Sequence, residues 1–439
     1  MSKSWKKHLV CVAVMFSMIL SGCALGDSNA VQPVPEDMAE PEVSTEPVTL
    51  TLFAQVPLTR EEFEKYLETP IKKKHPNITL EFIQTGDQKL DDLIGAHSVP
   101  DIIYAGPDLH VKLLDADIPF NLSGLIKEHK LPMSLFQPEI MDGIKQFGPK
   151  GEMYALPFLR NTVLLWYNKS IFDKFGVPYP KDGMTWGEAL ELARRMTRNV
   201  GGTQYRGLDP YVNGIEYFAS PLSLSTIDPK SEKAFISEKW RDVFQLAMNF
   251  YNVPGNKPDK LDKKTTKFLQ DQNVAMLPQW LNRMITDLEN AKPSGFDWDV
   301  IQLPSFENDP NTGSQVDWHQ LVISKTSEHK EQAFQVLEVA VSEEVQLSAS
   351  KAGRIPVVHD TAIIQPFASE LSIAKGKNMQ SAFKGNPAKR AQMHKYSPIV
   401  DKEIEAAFKD VFDGNADIAT ALRQTEDRAN AAIAAEKQK

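Results

Sequence analysis

The feature that most constrains this chain is the alternation of short β-rich runs with helical patterns that begins at Val48. Residues 48–53 form a β-rich run, and residues 60–74 place Phe63, Tyr66, Leu67 and Ile71 on one face of an amphipathic helix. Residues 78–84 alternate as a strand, 90–97 read as a short helix, and 101–105, after Pro100, read as a buried strand. Strands and helices alternating at these lengths predict an α/β fold of mainly parallel sheets flanked by helices. The pattern resumes with a β-rich run at 162–168, a helical turn at 171–175 and a Pro-rich turn at 177–182. Thr185 and Glu188 form a capping box that opens a helix near Trp186, with Ala189, Leu190, Ala193 and Met196 at helical spacing. Further helices are predicted at 240–251, 330–350, 401–412 and from Asp417 to Glu436. There is no internal repeat, and a chain of 439 residues is long enough for two lobes with separate cores.

The first residues carry a different message. Lys3, Lys6 and Lys7 precede a mostly apolar stretch at 9–20, and small residues follow it directly. That is the pattern of a secretory signal, too short and wrongly flanked for a membrane span. Leu20-Ser21-Gly22-Cys23 resembles the bacterial lipobox, which implies removal of residues 1–22 and acylation of Cys23 at the new N-terminus. Residues 23–47 then read as a tether. Beyond Cys23 they hold six acidic residues from Asp27 to Glu46, four prolines and no lysine or arginine, a composition that cannot offset the entropy of folding.

Composition narrows the function. Three of the 49 basic residues lie in 1–22, so the remainder has 46 against 58 acids, a net charge of −12. Such a balance argues against a nucleic-acid partner, which demands a basic patch. Cys11 and Cys23 are the only cysteines, which leaves no disulfide, no thiol nucleophile and no cysteine metal site. The nine histidines lack metal-ligand spacing, and no metal or other cofactor is expected. Asp413, Asn415 and Asp417 imitate a calcium loop, but Ile418 stands where its glycine belongs, so the stretch reads as a turn and helix cap.

Several ordered blocks resemble the extracellular solute-binding proteins of family 1, the maltose-binding-protein-like receptors of bacterial ABC importers. They are residues 154–158, 165–176, 178–197, 273–276 with Trp280, 298–304, 321–325 ahead of a helix at 332–341, and Gly353-Arg354-Ile355-Pro356-Val357. The resemblance implies two hinge-joined lobes of the periplasmic-binding-protein type, lobe one from 48–157 and 303–345, lobe two from 160–300 and 350–439. It also implies a ligand held in the cleft between them, a partnership with importer membrane subunits, and a monomer. Two departures bear on the ligand rather than the fold. Residues 314–319 fill a stretch that is often glycine-rich in the family, and Ala54-Gln55-Val56 lacks the aromatic residue common in sugar binders.

Sugars present C–H faces and rings of hydroxyls, so their receptors need aromatic platforms rimmed by planar polar groups. Trp166, Trp186, Trp240 and Trp298 fit packing roles in strands and helices. Trp280, just past the strand that contains Met276, and Trp318, between Asp317 and His319, are the candidate platforms, facing each other from opposite lobes. Candidate polar ligands are Asp108, Asp209, Tyr211, Gln279, Asp317 and Arg354. The function expected is a lipid-anchored receptor, on the outer face of the cell membrane, that captures a mono- or oligosaccharide. The alternatives are a same-fold receptor for a polyol or peptide and a surface carbohydrate-active enzyme. Nothing in the motifs supplies a nucleophile elbow or a phosphate loop.

Overall fold

Two mixed β-sheets, one in each lobe, organise the protein. The computed structural model describes residues 46–148, 150–211 and 214–438. The signal segment, Cys23 and nearly all of the tether lie outside these residues. Lobe one begins with β1 (Val48–Ala54), β2 (Ile78–Gln84), β3 (Ile102–Ala105) and β4 (Leu156–Asn161). Lobe two follows with β5 (Val163–Asn168), β6 (Arg198–Val200), β7 (Thr203–Leu208), a small hairpin of β8 (Ile227–Asp228) and β9 (Lys233–Ala234), then β10 (Val274–Trp280) and β11 (Trp298–Gln302). The chain returns through β12 (Thr312–Gln315) to β13 (Asp317–Ile323) and β14 (Ile355–Pro356) of lobe one, and β15 (Asn386–Ala388) pairs beside β12.

The sheet orders are β14-β4-β13-β3-β1-β2 and β11-β5-β10-β7-β6. The expectation of mainly parallel sheets is corrected. Only β1–β2, β1–β3 and β10–β7 pair in parallel within the two main sheets. β13 enters lobe one from the other lobe and so lies antiparallel to both β3 and β4. Strand parity sets the cores, because alternate side chains point to opposite faces. Leu50, Leu52 and Ala54 face one core of lobe one while Phe53 faces the other. Val163, Leu165 and Tyr167 likewise face one side of lobe two, and Leu164 and Trp166 face the opposite side.

The first predicted helix forms as two α segments, Arg60–Phe63 and Thr69–Lys74, joined by a π turn, and its four apolar residues are buried. The π turn sits where Pro70 removes a backbone donor. The expected helix at 330–350 is two helices, Lys330–Ala340 and Glu343–Lys351, because the Ser342 hydroxyl caps the second. The Trp186–Met196 helix has the anticipated capping box. Gly414 closes the Ser397–Asp413 helix and Asp417 caps Ile418–Glu436, the turn and cap expected there. Among the described residues no helix is long and apolar enough to cross a membrane.

The lobe boundaries shift from those expected. Leu303 packs in the lobe-two core, and lobe one continues past residue 345, through Val345, Ala349, β14 and Ile363. A third passage between lobes therefore falls between Ile363 and Phe367, which packs in lobe two. The first two passages touch. β4 becomes β5 at Thr162, whose hydroxyl lies 3.1 Å from Ser314 Oγ, and that same oxygen accepts from Val163 N.

His110, in the Pro107–Asp115 helix, is fully buried against Phe147, with neither ring nitrogen partnered. Burial disfavours its charged form and lowers its pKa to about 3. The unfolded chain takes up this proton below about pH 6.5 while the folded protein does not, so the contribution costs stability as pH falls. His110→Leu should therefore gain about 2 kcal/mol over the parent at pH 5 relative to pH 8, read from denaturant midpoints at the two pH values.

Candidate functional site

A cavity of about 690 Å³ opens between the lobes. Lobe one contributes Asp108 and Val111 from the Pro107–Asp115 helix. Lobe two contributes Trp280 at the end of β10, Glu216 and Tyr217 of the Glu216–Ala219 helix, Trp240, and the face of the Ser397–Asp413 helix that carries Asp401 and Glu405. A strap at 390–394 and Gln315 of β12 close the hinge side. The half-buried Trp280 indole stands edge-on to the Tyr217 ring, 5.7 Å between centroids at 87°. Gln279 Oε1 accepts from Trp280 N and fixes the backbone where the strand turns into the Leu281–Ala291 helix.

Of the residues singled out from the sequence, Trp280 and Asp108 line this cavity. Asp317 lies behind it, buried, 3.0 Å from the cavity-lining Arg390. Trp318 does not face Trp280. Its indole is fully buried in the lobe-one core, over Gly143, with Nε1 donating to Gln320 Oε1 at 2.8 Å. A Cβ on Gly143 would stand 2.3 Å from the indole, so the close packing of these two elements leaves this tryptophan no route to the cleft. Gln279 is also buried, and its carbonyl accepts from Trp166 Nε1. Asp209 is a buried partner of Arg206 at 2.8 Å and accepts from Tyr211 N and the Tyr251 hydroxyl. Tyr211 is buried and stacks on Phe408. Arg354 bonds Glu62 at 2.5 Å within lobe one. These four are structural rather than cavity-lining. The sequence reading missed Glu216, Tyr217, Lys263, Arg390, Asp401 and Glu405 and assigned Trp240 to packing alone. Asp401 and Glu405 did carry a signal, two acids four residues apart on one helix face.

The sequence profile described as "Bacterial extracellular solute-binding protein" matches residues 57–347, well over half of the chain. The chain belongs to this family. Among curated proteins, the mannitol-binding protein of Pseudomonas aeruginosa is 27% identical over 144 residues, which span 30% of this chain and 31% of that protein. Among solved structures, an ABC substrate-binding protein from Listeria monocytogenes in complex with cycloalternan superposes with a TM-score of 0.70 at 17% identity, covering 89% of this chain and 100% of that one. The sugar-binding protein MalE of Xanthomonas citri also gives 0.70, at 19% identity, with coverage of 89% and 98%. At these identities the structures establish a shared two-lobe fold.

In this solute-binding protein ion pairs cross between the lobes. Arg390 Nη2 reaches Asp108 at 3.0 Å and Nη1 reaches Asp317 at 3.0 Å, so one side chain of the strap ties two elements of lobe one. Lys395 adds a 2.7 Å pair to Asp115 of the same lobe-one helix. Burial pushes Asp317 up to about 6, with Arg390 opposing that rise and Asp108 adding to it. Removing Arg390 would leave Asp317 buried without its partner, which commonly costs about 3–5 kcal/mol. Arg390→Met should destabilise the protein by about that much at pH 8, and adding Asp317→Asn should recover a large part. Urea unfolding of the parent, both single variants and the double variant measures the coupling.

Proposed function

We propose that this protein captures a carbohydrate in the interlobe cleft by hinge closure and presents the closed form to the membrane subunits of an ABC importer. The observation that carries the reading is the pair Trp280 and Tyr217 inside a cavity to which both lobes contribute. A half-buried indole with polar side chains around it suits the C–H face and hydroxyls of a sugar ring. A ligand that touches both lobes only when they are closed shifts the population toward the closed state. The neighbours named above support the class, being recorded with cycloalternan or as a sugar-binding protein. The mannitol-binding relative favours a polyol as the second reading. Binding is stoichiometric and returns the solute unchanged, which separates this receptor from an enzyme. Lipid on Cys23, with the acidic segment behind it as a tether, would hold the receptor beside its importer on the outer face of the membrane.

Trp280→Ala should abolish the ligand-induced change in intrinsic fluorescence and weaken affinity at least about tenfold, the scale of a lost aromatic contact. A thermal-shift screen against oligosaccharides, monosaccharides and polyols identifies the ligand, and unchanged affinity in the variant would remove Trp280 from the site. Cys23→Ser should release the protein into the medium with its ligand affinity intact, detected by fractionating cells and culture fluid. Continued retention in the membrane fraction would refute the anchor.

A further inference from the structure

A second cavity, about 320 Å³, lies at the hinge itself. All three passages between the lobes line it: Arg160 and Thr162 in the first, Gly313 and Ser314 in the second, and Ile364 in the third. On β12 the residue after Ser314 is Gln315, which lines the cleft instead, so the two cavities flank the same short strand. Any occupant of the hinge cavity would therefore contact every segment that must bend on closure.

The chemistry of this cavity centres on Arg160, whose charge is not compensated. The other arginines that are not exposed, Arg206, Arg354, Arg390 and Arg428, each meet a carboxylate at 3.0 Å or less. Arg160 is partly buried and makes no ion pair among the described residues. Charged side chains withdrawn from water are normally paired. Burial lowers its pKa, with Glu139 and Asp317 opposing the fall, yet a guanidinium stays charged near neutral pH. Gln137 holds the group in place. Its amide donates to the carbonyls of Pro356 and Val358, and its Oε1 accepts from Arg160 Nη1 at 2.5 Å. Arg160 Nε is closed off, whereas Nη2 is unbonded among the described residues and is not closed off. A further donor comes from the contact of Thr162 with Ser314, since two hydroxyls 3.1 Å apart hold two protons and only one can lie between them. The other is left for an acceptor.

We propose that the hinge cavity is a binding site for a small organic monocarboxylate, separate from the solute of the cleft, with the carboxylate on Arg160 Nη2 and the Thr162–Ser314 hydroxyls. The carboxylate supplies the ion pair that this arginine, unlike the others, lacks within the protein. Pro138, Ile364, Phe383 and Pro387, none of them fully buried, offer its carbon skeleton an apolar wall. The other charged groups around the cavity favour a single negative charge. Glu139 is exposed at the rim, Lys384 is already paired with Asp182 at 2.7 Å, and His359 Nε2 is engaged by the Ser134 carbonyl at 3.2 Å. A dianion would meet the repulsion of Glu139 twice over, with one free cation to oppose it. The chain's net charge of −9 gives anions no general attraction, so binding here requires a built site.

Titration calorimetry of the purified full-length protein at fixed ionic strength compares benzoate with benzamide, its neutral isostere, and with inorganic phosphate and sulfate. Benzoate should bind at least about tenfold more tightly than benzamide, the scale of one charged hydrogen bond. Arg160→Gln, which keeps a donor for Gln137, should abolish that preference, with circular dichroism confirming the fold. If the variant does not fold, crystals of the unaltered protein soaked in para-bromobenzoate decide alone, because anomalous scattering locates the bromine. Bromine in the cavity beside Arg160 supports the site. Bromine elsewhere, benzamide bound as tightly as benzoate, or benzoate binding unchanged by Arg160→Gln would overturn it. Phosphate or sulfate bound in preference to benzoate would overturn the carboxylate assignment. None of these outcomes bears on the carbohydrate reading of the cleft, which the Trp280 variant tests separately.

Discussion

The two lobes depend on one nearly continuous extended segment that runs through both sheets. β4 has neighbours on both edges in lobe one, β5 has neighbours on both edges in lobe two, and only Thr162 separates them. Interior strands satisfy their backbone groups from both sides, so neither half of the segment can shift without breaking a ladder. Any motion between the lobes would therefore be concentrated at the crossing residues. Thr162 is tied there to Ser314 of the second passage, and the parallel pairing of β12 with β15 adds a third backbone link beside them. A few residues at the ends of elements absorbing a change in φ and ψ is what hinge closure requires.

The strap at 390–395 ties across the cleft. Its ties to lobe one include ion pairs, Arg390 to Asp108 and Asp317, and Lys395 to Asp115, alongside Met393 packed against the lobe-one core. An apolar seam of similar extent would need its area re-exposed to water on opening, whereas ion pairs exchange for water at a smaller net difference. The two pairs made by Arg390 are nevertheless unequal. Asp108 is largely solvent-exposed and contributes little, while Asp317 is buried and its partner is costly to remove. The buried half positions Arg390, and the exposed half meets the cleft.

How much was legible in the sequence depended on whether the signal was local. Capping boxes, amphipathic faces and strand alternation are short-range, and the elements they predicted formed close to where they were placed. Strand direction is not local. β13 runs antiparallel because it arrives from the other lobe, which no periodicity within residues 317–323 encodes. Trp280 and Trp318 make the same point for the site. Each sits at a strand terminus beside polar residues, yet one end opens at the cleft and the other packs over Gly143, whose missing side chain makes room for an indole. Asp209 and Arg354 looked like loop ligands because their partners, Arg206 and Glu62, were not recognisable as neighbours. Asp401 and Glu405 were not singled out because the sequence alone does not say that their helix borders the cleft.

Unsatisfied buried polar atoms occur both in the cores and beside the cleft. His110 lies against Phe147, and Trp186, whose Nε1 is also unpartnered, lies against Phe218 inside a packed core. No group from solution can reach such positions, so their cost is a stability cost alone. Tyr217 and Trp240 line the cleft cavity, yet Tyr217 Oη and Trp240 Nε1 are as closed to solvent as the core atoms and have the same defect. A well-fitted apolar replacement at any of these positions would be expected to stabilise the protein by removing that cost.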